Sequence, residues 1–141
     1  MRDDLVAIEQ LLNRYCHALD RGEIDAVVGL FADDGVLIPE YEGGGRHTGL
    51  AAVRAWYTGY AATTIAAVRG LRHKISTVMI DVDGDSATAS CYLDADSVHR
   101  TSGARSLVGG RYEDRLVRTP AGWRIAERRI VIDYASTLPG N

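Results

Sequence analysis

The order of apolar and polar positions begins with a helical pattern. Between Leu5 and Leu19, apolar residues recur every three or four positions, which predicts one amphipathic helix with a single buried face. Asp3 or Asp4 is suited to cap its first turn, and Gly22 follows its last turn. The chain is therefore expected to open with a helix that packs its apolar stripe against another layer.

The pattern then becomes shorter and more broken. Residues 25–31 are predicted to form a second, short helix and residues 35–39 a short strand, in which Pro39 favours a strand end or a sheet edge. Residues 41–48 include three consecutive glycines and are predicted to form a loop. A third helix is predicted over residues 50–62, with its larger apolar side chains on one side.

From residue 71 onward the period of the pattern changes to two, which is typical of strands. The connections between the predicted strands are short, so the strands are expected to form an antiparallel meander. Amphipathic helices need a sheet face to cover, and the prediction is therefore a two-layer α+β fold in one domain over residues 1–141. The four predicted strands are residues 71–82, 86–99, 106–118 and 123–134.

Composition narrows the classes of function. A net charge of -3, from 16 Lys and Arg against 19 Asp and Glu, argues against a nucleic-acid partner. Cys16 and Cys91 are far apart and are expected to be reduced and buried, without a disulfide or a zinc site. No apolar run has the length of a signal core or a membrane span, so the prediction is a cytoplasmic protein without membrane contact.

Asp20 is the residue of the first helix that helix stability does not explain. Leu12, Cys16 and Asp20 follow one another at intervals of four, so Asp20 lies along the edge of the buried face. It also lies near the helix C-terminus, where the macrodipole disfavours an anion. A carboxylate in this place suggests a partner elsewhere in the chain.

His73 is the candidate partner. It lies early in a long predicted strand between Leu71 and Ile75, which would place it on the concave face that the helices cover. An aspartate bonded to one ring nitrogen leaves the other nitrogen to take a proton from a substrate. The alternative is that Asp20 and His73 are a buried polar pair that satisfies itself without chemistry.

Several segments together resemble the SnoaL-like branch of the nuclear-transport-factor-two-like superfamily. The resemblance covers nearly the whole chain, and it is carried by the order and spacing of the segments rather than by any one of them. It implies a cone-shaped, curved and mainly antiparallel sheet wrapped around N-terminal helices and enclosing a pocket. The segments are residues 14–25, 31–36, 72–73, 82–85, 110–118 and 122–125.

Within this branch, the pairing of a helix-one aspartate with a strand histidine is similar to scytalone dehydratase and bile acid 7α-dehydratase. These are cofactor-free enzymes that remove a proton and a leaving group, and the resemblance implies that Asp20 and His73 form their dyad, with no cofactor and no metal. It also implies that Tyr15 donates a hydrogen bond to a carbonyl or leaving oxygen. The superfamily includes isomerases, cyclases, epoxide hydrolases and many members without catalytic activity.

Four further residues are candidates for substrate binding. Tyr41 follows the first strand, where scytalone dehydratase carries a pocket tyrosine. Asp96 and His99 correspond to polar site residues of the dehydratases, but a regular strand would turn only one of them to the pocket. Arg128 is a candidate for holding an anionic substrate group at the mouth of the cone. Each of the four is also consistent with an ordinary surface residue.

The sequence therefore predicts a cofactor-free lyase or isomerase that acts on a small, hydrophobic, cyclic molecule such as a polyketide or a steroid-like compound. The first alternative is a non-catalytic module that binds a small molecule or assembles subunits. A polyketide cyclase or epoxide hydrolase is a further alternative. A homodimer or homotrimer is also predicted, because relatives assemble in this way and the outer sheet face carries apolar residues.

Overall fold

The computed structural model describes residues 2–140 as a layer of helices on one face of a curved sheet. The mixed α+β class, the curved sheet and the position of the helices confirm the predicted fold. Two short 3₁₀ turns, Glu40–Glu42 and Ile65–Ala67, connect elements. The helices are α1 (Arg2–Asp20), α2 (Ile24–Val28) and α3 (Leu50–Thr63), and the strands are β1 (Phe31–Pro39), β2 (His47–Thr48), β3 (Val68–Asp83), β4 (Ser86–His99), β5 (Arg105–Thr119) and β6 (Gly122–Leu138).

The six strands form one sheet in the order β2-β1-β6-β5-β4-β3. The four long strands β3 to β6 make the predicted antiparallel meander. β1 pairs in parallel with β6, with Leu37 opposite Arg128, and antiparallel with the two-residue β2. This arrangement agrees with the prediction that the sheet is mainly antiparallel.

The boundary between the second helix and the first strand differs from the prediction. α2 ends at Val28, and Phe31 already pairs with Ile125 of β6. The register shifts between Phe31 and Val36, and the intervening Asp33 and Asp34 are exposed. A bulge with two consecutive acidic residues interrupts the alternation that marks a strand, so the sequence pattern revealed only the second half of β1.

Bulges explain the curvature of the sheet. Register shifts occur in the β3–β4 pair and twice in the β5–β6 pair, whereas the β4–β5 pair is regular. Each extra residue bends its strand and increases the local twist, so the outer strands curl toward the helices. The resulting concave face and α1 bury one apolar core that includes Ile8, Leu12 and Ile125 at 0% exposure.

Both cysteines lie in this core. Cys16 and Cys91 are buried and free, as the sequence predicted. Burial raises the pKa of each thiol to about 11. Both side chains therefore remain protonated at neutral pH.

Candidate active site

A cavity of about 360 Å³ lies between the helices and the concave face of the sheet. Its wall is largely aromatic and aliphatic, with a few polar groups, which is the usual composition of a small-molecule site. The wall is contributed by α1, the turn after β1, α3 and the concave face of β3 to β6. Its residues include Tyr15, Leu19, Tyr41, Glu42, Trp56, Tyr60, Leu71, His73, Leu93, Ala95, Val108, Tyr112, Ile130 and Ile132.

Asp20 and His73 are in direct contact at the edge of this cavity. The ring Nδ1 of His73 lies 2.6 Å from Asp20 Oδ1. The backbone N–H of His73 also donates to both carboxylate oxygens, each at 3.0 Å. Three contacts from one residue therefore hold the Asp20 carboxylate at the end of α1, and they offset the unfavourable end of the helix dipole.

This geometry fixes which ring nitrogen of His73 faces Asp20. A carboxylate oxygen accepts a hydrogen bond, so Nδ1 carries a proton, and Nε2 is the ring nitrogen left for a substrate. Within residues 2–140, Nε2 has no hydrogen-bond partner. The His73 side chain is only 7% exposed and lines the cavity, so Nε2 is sheltered from bulk water beside the cavity.

Tyr15 borders the cavity but is completely buried. Its hydroxyl forms a hydrogen bond with the hydroxyl of Tyr57, a buried residue of α3. In such a pair one hydroxyl donates and the other keeps its own proton for a second acceptor. Burial raises the pKa of Tyr15, and the nearby Arg128 guanidinium opposes this rise. Tyr15 is thus a neutral donor at neutral pH.

Arg128 does not lie at the mouth of the cone, so that prediction is wrong. Its side chain is fully buried, and its guanidinium donates two hydrogen bonds to the Asp114 carboxylate at 2.8 and 2.7 Å. The guanidinium also stacks on Tyr15 and Tyr112, 4.1 and 4.0 Å from their ring centroids. The guanidinium therefore lies behind the Tyr15 ring, and its third nitrogen, Nη1, is buried without a hydrogen-bond partner in the described part of the chain.

The physical reason for the burial of Arg128 is a bulge in β6. Leu116 of β5 pairs with Ile125, but the preceding residue, Arg115, pairs with Glu127, so Ala126 is an extra residue. One extra residue reverses the alternation of inward and outward side chains beyond it. Arg128 consequently points inward at a position that regular alternation from Ile125 would turn outward.

Tyr41 lies at the mouth of the cavity, on the turn after β1. It lines the cavity and is 48% exposed, so a small shift of this turn would change access. Its neighbour Glu42 accepts a hydrogen bond of 2.8 Å from the indole N–H of Trp56. This hydrogen bond connects the turn at the mouth of the cavity to α3.

Asp96 and His99 occupy different surroundings, as their spacing suggested. Asp96 contributes to the cavity wall, but its carboxylate accepts hydrogen bonds from Arg72 and Lys74. These bonds lower the pKa of Asp96 to about 2. His99 is exposed and lines a neighbouring compartment instead of the cavity that contains His73.

Two absences concern residues 2–140. No helix in this part of the chain is long and apolar enough to cross a membrane. No group of three or more His, Cys, Asp and Glu side chains among the described residues has an arrangement that would hold a metal ion.

Three residues of the site were missed in the sequence. Asp114 has a detectable signal, because alternation from Tyr112 turns it inward, and a buried carboxylate requires a partner. Tyr57 falls within the predicted third helix, but its contact with Tyr15 depends on how the helices pack. Glu42 lies in a predicted loop, where no periodic pattern predicts its direction.

The chain belongs to a known family. The model of the SnoaL-like domain family matches residues 2–129. This match covers most of the chain and confirms the resemblance noted in the sequence.

Solved structures agree with this assignment. A proposed aromatic ring hydroxylase from Novosphingobium aromaticivorans is 26% identical, with a TM-score of 0.83 and coverage of 98% of this chain and 95% of the other. A second protein of that organism, described as NTF2-like with a cystatin-like fold, is 28% identical, with a TM-score of 0.76 and coverage of 93% and 82%. A proposed scytalone dehydratase from it shares the fold at 22% identity, with a TM-score of 0.82 and coverage of 100% and 94%.

Proposed function

We propose that this protein is a cofactor-free lyase or isomerase that acts on a small, hydrophobic, cyclic molecule carrying a carbonyl or hydroxyl group. The observation that carries the proposal is the contact between Asp20 and Nδ1 of His73, which leaves Nε2 free beside an apolar cavity. The SnoaL-like family and the fold shared with a proposed scytalone dehydratase support the same class.

His73 is the general base in this proposal. Nε2 takes a proton from a carbon next to the substrate carbonyl, and Asp20 stabilises the imidazolium that forms. In an elimination, the electron pair of the broken C–H bond forms a new double bond, the His73 imidazolium returns its proton to the leaving oxygen, and that oxygen departs as water. In an isomerisation, the proton returns to a different carbon.

Tyr15 is the proposed donor to the substrate oxygen on which charge develops. When the Tyr57 hydroxyl donates to Tyr15, the Tyr15 proton is left for that oxygen. Tyr57 is then a positioning residue, and the Arg128 guanidinium behind the Tyr15 ring favours the charge that develops on its oxygen. This role is consistent with the largely apolar wall, because a low dielectric strengthens each of these interactions.

The test uses four purified variants and a panel of cyclic hydroxyketones followed by mass spectrometry. We expect H73A to lower turnover by about 10²- to 10⁴-fold, the usual contribution of a general base. D20N is expected to lower turnover less, and Y15F to lower kcat more than it raises KM. H17A is the matched control, since His17 is exposed on α1 and should leave turnover unchanged. Undiminished turnover by folded H73A would exclude the assignment of His73 as base.

A second candidate function is non-catalytic binding of the same class of molecule. It is favoured by one observation, that the Asp20 carboxylate is already bonded by the backbone and Nδ1 of His73 without a substrate. Saturable binding without a product, with the same affinity in H73A, would support this candidate. The resemblance to a proposed aromatic ring hydroxylase adds a third possibility for the test panel, namely an aromatic ligand.

A further inference from the structure

Three hydroxyl side chains lie side by side on neighbouring strands, beyond the Asp20–His73 pair. Ser97 of β4 pairs with Ser106 of β5, and Ser106 pairs with Thr137 of β6. Residues that pair directly across antiparallel strands point to the same face of a sheet. We call these three residues the hydroxyl row.

The register also gives the distance between this row and the proposed base. His73 pairs with Ala95, which pairs with Val108. Ser97 and Ser106 are two residues further along their strands on the same face, which corresponds to about 7 Å at 3.3–3.4 Å per residue. A ligand of two fused rings is long enough to reach both rows.

The hydroxyl row stands between two spaces. Ser97 and Ser106 line the cavity that contains His73, and all three row residues line a neighbouring compartment of about 440 Å³. Thr63 and Thr64, at the end of α3, border both spaces. The cavity and the compartment are therefore adjacent and share these wall residues.

The hydroxyls of the row are available to a ligand. Ser97 is 9% exposed, and within residues 2–140 neither its hydroxyl nor that of Ser106 has a hydrogen-bond partner. By contrast, Thr63 donates to the backbone carbonyl of Gly59 at 2.9 Å. Neither hydroxyl oxygen is among the buried polar atoms without a partner, so both are open to the space beside them and can bond a polar group of a ligand.

The compartment has no carboxylate, ammonium or guanidinium in its described wall, and its titratable side chain is His99. The backbone N–H of Ser102 donates to His99 Nδ1 at 3.4 Å, which leaves Nε2 as the ring nitrogen that faces a ligand. Hydroxyls both donate and accept hydrogen bonds. They suit an alcohol or a carbonyl better than an ion.

We propose that the hydroxyl row is a subsite for a neutral oxygen substituent, an alcohol or a ketone, at the end of the ligand distant from His73. This proposal rests on the proposed function in one respect: the ligand that lies beside His73 is assumed to reach the hydroxyl row as well. It narrows the substrate class to molecules with two oxygen functions at opposite ends of a ring system. In this proposal, His99 lines the compartment at the end of the ligand distant from His73.

The test measures binding of naphthalene-2,6-diol and 2-naphthol by titration calorimetry at pH 7. These probes share one ring system and differ by the second hydroxyl. We expect the folded protein to prefer the diol by about three- to tenfold, the contribution of one neutral hydrogen bond. S97A and S106A should each remove most of this preference. S90A is the control, because Ser90 lies on the same strand but lines the groove on the opposite face of the sheet.

The outcomes separate this subsite from the proposed chemistry. If H73A abolishes turnover while S97A and S106A leave the preference for the diol unchanged, the subsite is excluded and the proposed function stands. If S97A removes the preference while H73A retains turnover, the subsite stands and the role of His73 is excluded. Equal binding of the two probes to the unchanged protein, or binding of neither, also overturns the subsite.

Discussion

The buried ion pair between Asp114 and Arg128 leads to the sharpest prediction about stability. Their side chains are 1% and 0% exposed, and two hydrogen bonds of 2.8 and 2.7 Å join them. Changing Asp114 to Asn keeps the size of the side chain but leaves the guanidinium without a counter-charge. Removing one partner of a buried pair typically costs about 3–5 kcal/mol, because the remaining charge is left desolvated and uncompensated.

This cost is large compared with the stability of a domain, which is about 5–15 kcal/mol. For a chain of this length, it corresponds to a fall in Tm of about 10–17 °C, from an unfolding entropy of about 2.1 cal/mol/K per residue. Urea unfolding followed by tryptophan fluorescence gives the free energy directly, and circular dichroism gives the Tm. Both measurements need no substrate.

A double substitution and a surface pair supply the controls. D114V/R128M replaces both charges by apolar side chains closer to the original sizes, and we expect it to recover most of the stability that D114N loses. D133N removes an exposed partner of Arg111 and should cost less than about 1 kcal/mol. A loss below about 1 kcal/mol in D114N, or a double variant no more stable than D114N, would refute the reasoning.

Three further predictions concern the buried cysteines and the close approaches of two glycines. Burial raises the pKa of Cys16 and Cys91 to about 11, so the folded chain keeps thiol protons that the unfolded chain releases near pH 9. The free energy of unfolding should therefore be highest below pH 9 and should fall as the pH rises toward 11. The midpoints of urea unfolding at each pH measure this fall. A thiol reagent at pH 8 should modify neither residue before unfolding. G110A should lower the free energy of unfolding by about 2–3 kcal/mol, since the new Cβ would overlap a backbone carbonyl of β6. G109A should lower it by less than about 1 kcal/mol, because the exposed Tyr134 ring can move away from the new Cβ.

The sequence predicted best where a pattern is long and regular. β4 has the expected bounds, and α1 ends one residue after the predicted Leu19 but begins at Arg2, three residues before the predicted Leu5, so Asp3 and Asp4 lie in its first turn. The inward direction of His73 followed from the period of β3 before its second bulge. The position of Asp20 was noticeable because it conflicts with the helix dipole, and the structure relieves this conflict through the His73 backbone and ring.

The prediction failed where one extra residue reverses the alternation of inward and outward side chains along a strand. The extra residue Ala126 turns Arg128 inward, and nothing in a run of alternating residues marks which one is extra. Two acidic residues likewise concealed the first half of β1. The contact of Tyr15 with Tyr57 depends on the packing of α1 against α3, which no local pattern describes. Each failure therefore concerns long-range geometry rather than local preference.

The parallel pairing of β1 with β6 has a consequence for how the chain folds. β1 is made early in the chain, yet its long partner is the last strand, and its other partner, β2, has only two residues. Contacts between segments so distant in sequence close late, because loop-closure entropy must be overcome before they stabilise the fold. During synthesis, the β1 edge that pairs with β6 stays unpaired until β6 has been made. A fragment that stops before Gly122 is therefore expected to expose an unpaired strand edge and to aggregate rather than to fold.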